Sequence, residues 1–110
     1  MITPGFDELI HAPTRLSLVA FLAATTWADF AVLRDGVGLS DSALSKQLTT
    51  LEDAGYVEIR KTFVGKRPRT SARLTAEGRT AFDRHVAALQ EIVASAGRSV
   101  IPSNSSSEQS

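Results

Sequence analysis

Hydrophobic positions recur with helical spacing along most of the chain, interrupted by short polar or glycine-containing stretches. Phe6, Leu9 and Ile10 share one helical face. Pro13 stands where the first residue of a second helix is expected, and Leu16, Val19, Ala20 and Ala23 follow at i, i+3, i+4 and i+7. Leu18, Phe21 and Leu22 make this second segment apolar around nearly its whole circumference, so it reads as the central helix, covered by the rest of the domain or by a second subunit. Asp29 is placed to cap a short helix carrying Phe30, Leu33 and Val37, and Gly36 with Gly38 are expected to break it. Ser40 is a good N-cap for the next helix. Its apolar stripe is Leu44, Leu48 and Leu51, and Gly55 is placed to end it.

The periodicity then changes. Tyr56, Val57 and Ile59 are strand formers, residues 62–70 contain Gly65 and Pro68, and Ser71 to Leu74 can return as a partner strand. This predicts a hairpin with a long tip. Thr75 can cap a last helix in which Phe82, Val86, Leu89 and Val93 recur at i, i+4, i+7 and i+11, a seam of coiled-coil type, with Gly97 as its stop. Beyond that point five of the last eight residues are serine and no apolar period survives, so residues 97–110 read as a disordered tail and residues 1–96 as one domain. The predicted fold class is mainly α with a small β-hairpin. The order of elements is that of a helix-turn-helix followed by a wing.

A chain of 110 residues, 43% apolar, builds one small core and excludes a large enzyme architecture. Without cysteine there is no disulfide framework, thiolate metal cage or cysteine nucleophile. The start lacks a basic n-region and a long apolar run, so a cytoplasmic protein without membrane attachment is expected. The 12 basic and 12 acidic residues balance overall but are segregated along the chain. Residues 1–59 hold three basic and eight acidic side chains, whereas residues 60–73 hold six basic (Arg60, Lys61, Lys66, Arg67, Arg69, Arg73) and none acidic. Such asymmetry points to an anionic partner met at one place, although a solvated hairpin would show the same charges.

ALSKQLTTLEDAGYV at residues 43–57, followed by RKTFVGKRPRTSARLTAEGR, resembles small single-domain winged-helix transcriptional regulators. HAPTRLSLVAFLA at residues 11–23 is similar to a helix of MarR-like and ArsR-like repressors. The resemblance implies a homodimer that binds double-stranded DNA with two recognition helices in successive major grooves. With the leucines inward, the helix over residues 40–54 presents Ser42, Ser45, Lys46, Thr49 and Thr50, small hydroxyls and one cation suited to base edges and phosphates. Gln47 lies nearer the core side, as a flank. In the wing, residues 61–70, Arg67 or Arg69 suits a minor groove, and Lys61, Lys66 and Arg73 suit phosphates. The first, second and last helices would dimerise through Phe6, Leu9, Ile10, Phe82, Val86, Leu89 and Val93. The competing reading is a winged-helix protein-interaction module or a non-specific architectural DNA binder. A monomer whose last helix packs inward is a third.

Asp83 and His85 form an Asp-x-His that resembles half of an interface metal site of ArsR-like sensors, but the positions about three turns on are Ala96 and Ser99, which supply no nitrogen donor. No metal and no cofactor is expected. His11, beside Pro13, reads as a helix-start residue. Two isolated histidines and no phosphate-cradling glycine loop give no catalytic constellation, so no enzyme is expected. Trp27, Phe21 and Phe30 are candidates to line a pocket for a small-molecule effector, with ordinary core packing the stronger reading.

Overall fold

The computed structural model describes the backbone of residues 3–100 and the side chains of residues 3–97. A single-turn helix α1 (Glu8–His11) leads into α2 (Pro13–Ala23), followed by strand β1 (Ala28–Asp29), α3 (Phe30–Val37) and α4 (Asp41–Asp53). Strands β2 (Val57–Val64) and β3 (Arg67–Leu74) precede the long helix α5 (Ala76–Val100). The fold is mainly helical with a small antiparallel sheet in the order β1-β3-β2. Two residues of β1 pair with Ala72 and Ser71, adding a third strand where the sequence pattern shows only a hairpin. So short a segment carries no period of its own.

The core forms where the apolar stripes of the helices meet one face of the sheet. Leu18, Val19 and Leu22 of α2, Leu33 of α3, and Leu44, Leu48 and Leu51 of α4 close on Val57, Ala72 and Leu74. Helix α2 is central, in contact with α1, α3, β3 and α5, although Ala20 remains exposed.

The ends of the elements follow from their capping residues, with three exceptions. Ser40 Oγ accepts from the Ala43 N–H, and Thr75 Oγ1 accepts from the Gly78 N–H while donating to the Gly55 carbonyl. Asp29 occupies the N-cap position of α3, but its carboxylate accepts from Ser71 Oγ instead of capping the helix. Gly36 does not break α3. It lies inside the helix because the Phe21 ring packs against it, where a Cβ would collide, and Gly38 alone ends the helix in the left-handed conformation. Helix α5 likewise runs through the expected stop at Gly97 as far as Val100. The serine-rich residues 101–110 lie outside those described.

Candidate nucleic-acid interface

Helix α4 is fixed from both sides, which determines the face it presents. The Arg15 guanidinium, anchored on the Leu9 carbonyl, donates to Gln47 Oε1 at 3.0 Å on the flank facing α2. At its start Asp41 accepts from Arg34, tying α4 to the end of α3. With Leu44, Leu48 and Leu51 buried, Ser42, Ser45, Lys46 and Thr49 are exposed on the outward side. Thr50 is half-buried, and its hydroxyl donates back to the Lys46 carbonyl at 3.1 Å, so it is less available than its four neighbours.

The wing is longer and tighter at its tip than the sequence suggests. Its strands run in register from Val57↔Leu74 to Val64↔Arg67, leaving only Gly65 and Lys66 as the turn. Gly65 has φ 65° and no other residue from Val57 to Leu74 has positive φ, the pattern of a two-residue turn with glycine at its first central position. Pro68 fits because Phe63↔Pro68, next to the turn-flanking pair, is a non-hydrogen-bonded position, and β1 does not reach far enough to need its N–H.

Alternation along the strands sorts the wing cations onto two faces. Lys61 shares a face with Ile59, Phe63, Pro68 and Thr70. This face and α4 bound an open groove of about 730 Å³ lined by Ser45, Thr49, Lys61 and Thr70, with Phe30, Leu48 and Ile59 also in its walls and Asp41 and Glu52 on the helix side. Arg60, Arg67, Arg69 and Arg73 take the opposite face. Arg73 pairs with Glu58 at 2.8 Å, and the Arg60 and Arg73 guanidinium carbons lie 3.9 and 4.7 Å from the centre of the Trp27 ring. Trp27 is thus held by cations at the base of the wing. Arg69 lies 3.7 Å from Asp29, while Lys61, Lys66 and Arg67 make no ion pair among the described residues. The structure therefore brings Ser45, Thr49 and Lys61 around one groove, with Ser42 and Lys46 exposed on the same helix outside its lining and Lys66 at the turn of the wing. Arg73 is already engaged within the protomer.

The residues expected to dimerise divide. Ile10 is fully buried in its own protomer and has no side-chain surface to offer a partner. Leu9 and Phe82 pack against the core, and Val86 and Leu89 are half-buried. Val93 is 70% exposed and adjoins Ile92, also exposed, on a stretch of α5 that is exposed throughout residues 90–96.

A polar cluster that the sequence pattern does not reveal joins α1, α5 and the start of the wing. His85 is fully buried. Its Nδ1 accepts from the Asp7 N–H at 2.9 Å, so its proton sits on Nε2, which donates to His11 Nδ1 at 3.3 Å. The Phe6 ring packs on both imidazoles. The Asp7 carboxylate caps α1 through the Ile10 N–H and accepts from Tyr56 Oη at 2.6 Å. Burial, reinforced by repulsion from His11, lowers the His85 pKa from its ordinary value. The bond to Asp7, burial and charge repulsion push the Tyr56 phenol up to about 12. His85 faces this cluster while Asp83 is exposed, so the Asp-x-His does not converge as a metal half-site. Among the described residues no three histidine, cysteine, aspartate or glutamate side chains come together, and no helix is long and apolar enough to cross a membrane.

A groove between an outward-facing helix and a basic hairpin, both mounted on a small helical core, defines a winged helix-turn-helix protein. The chain belongs to the winged helix DNA-binding domain family, whose model matches residues 14–93. An uncharacterized protein of Methanocaldococcus jannaschii is 28% identical over 79 residues, covering 72% of this chain and 86% of the relative. The fold is shared with a transcriptional regulator homologue from Pyrococcus horikoshii OT3, with TM-score 0.76, 24% identity, and coverage of 82% of this chain and 89% of that one. It is also shared with the PcaV transcriptional regulator of Streptomyces coelicolor, solved with its natural ligand, with TM-score 0.69, 18% identity, and coverage of 88% and 67%.

Proposed function

We propose that the protein is a homodimeric, sequence-specific transcriptional regulator, acting as a repressor. Helix α4 enters the major groove, and the wing contacts the backbone and the adjoining minor groove. The observation that carries this reading is the shared groove: Ser45 and Thr49 of α4 face Lys61 across it, so one DNA ridge can meet both elements at once. Ser42, Lys46 and Thr49 then lie toward base edges, and Lys61, Lys66 and Arg67 toward phosphates. The exposed Ile92 and Val93 of α5 support a second copy packing on that helix. PcaV binds a ligand, and the same fold supports a small-molecule effector here, acting by altering the separation of the two α4 helices.

The test is selection of bound fragments from sheared genomic DNA at near-physiological salt, with the mass of the recovered complex measured by sedimentation. An inverted repeat with half-sites about ten base pairs apart, held by two protomers, is the expected result. Retention without sequence enrichment would replace this reading with architectural binding, and no retention would replace it with a protein-interaction role.

A further inference from the structure

We infer that Phe63 and Pro68 form an apolar wedge at the wing tip that enters the DNA minor groove and unstacks a base step, an inference that rests on the DNA-binding reading above. Phe63 is 71% exposed, the most exposed of the large hydrophobic side chains among the described residues. No aromatic or cationic group is packed on its ring there. Pro68 lies directly across the hairpin from it and is also exposed. At a non-hydrogen-bonded pair the two side chains stand close together on one face.

That face is the one turned toward α4, because Phe63 follows Ile59 and Lys61 at two-residue steps and both of these line the groove beneath the recognition helix. The order along the strand matches the order of surfaces on DNA. With α4 in the major groove, Lys61 reaches the phosphate ridge beside it. Phe63 stands roughly 7 Å further out, where the next minor groove opens. Lys61 precedes Phe63 on the same face and Lys66 follows at the turn, so charge for phosphates lies on either side of the ring along the hairpin. An apolar ring with Lys61 before it and Lys66 beyond it along a two-residue hairpin suits a polyanion with apolar base faces. Against a lipid or an apolar protein surface the same cations would have to be desolvated.

The experiment uses the full chain and the duplex recovered by selection, carrying donor and acceptor dyes at its ends and 2-aminopurine at successive steps under the wing. The parent protein is expected to shorten the end-to-end distance and raise 2-aminopurine fluorescence at one step. Phe63→Ala should abolish both signals, keep the salt dependence of binding and weaken affinity about tenfold. Phe63→Leu should restore part of the bend, which a loss of fold could not do. DNA bound by the parent but left straight and stacked, or bent equally by Phe63→Ala, would overturn the wedge and leave the regulator standing. Failure of the parent to bind any DNA would overturn both.

Discussion

Replacing Gly36 with alanine tests whether packing or helix propensity governs α3. In an exposed helix interior this change stabilises by about 1 kcal/mol. Here the added Cβ would meet the Phe21 ring, which is wedged between α2 and α3, so the expected outcome is net destabilisation, by about 1–3 kcal/mol. Urea unfolding followed through the single tryptophan, Trp27, reads it directly. His85 gives a second prediction at this scale. Its Nδ1 must stay unprotonated to accept from Asp7, and its folded pKa is lowered, so the unfolded chain takes up the proton first as pH falls. Stability is therefore full above the ordinary histidine value of 6.5, declines as pH drops below it, and levels off once the folded protein is protonated too. His85→Leu should flatten the change in unfolding midpoint between about pH 7.5 and about pH 5.5. An equal slope in both proteins would remove His85 as its source. At the alkaline end Tyr56 behaves in the opposite sense: its folded pKa is raised to about 12, so stability falls as pH rises above 10.

Among the elements, those with several turns of regular spacing were legible from sequence. Helices α2, α4 and α5 follow their leucine and valine periods, and Ser40 and Thr75 cap as their side chains suggest. Strand β1 was not legible because its two residues are defined by the pairing partner and not by a pattern. The wing tip looked like a long loop because glycine, proline and charge dominate residues 62–70, yet Pro68 falls on a position that costs no ladder bond. The alternation of Val57, Ile59 and Lys61, continued along the strand, reaches Phe63 on the same face. The faces of the wing lead to a prediction that charge counting cannot make. Lys66→Ala with Arg67→Ala should lower the salt slope of DNA binding by about two per protomer. Arg73→Ala should change it less, because that guanidinium pairs with Glu58 and stacks on Trp27. Equal effects from the two variants would mean that the ion pair opens on DNA.

At the scale of the whole molecule, the sequence identified the class of fold but not which apolar residues are spent inside the protomer. Ile10 and Val93 both looked like interface positions, since periodicity records that a face is apolar and not what covers it. The structure separates them: Ile10 is enclosed, and Val93 lies on the part of α5 that extends past the core. A helix of 25 residues is about 37 Å long, far more than one small core can cover. In a monomer, Val93→Glu replaces one exposed side chain with another and should leave the unfolding midpoint nearly unchanged. In the proposed dimer it places an unpaired carboxylate in an apolar seam, at a cost of several kcal/mol. The expected outcome is a folded protein that sediments as a monomer at micromolar concentration, unfolds at a midpoint lowered by the lost association, and has lost high-affinity binding to the two-half-site duplex. A variant that still sediments as the parent does would place any second protomer elsewhere on the surface, and the spacing of the two α4 helices would then have to be set by a different pair of elements.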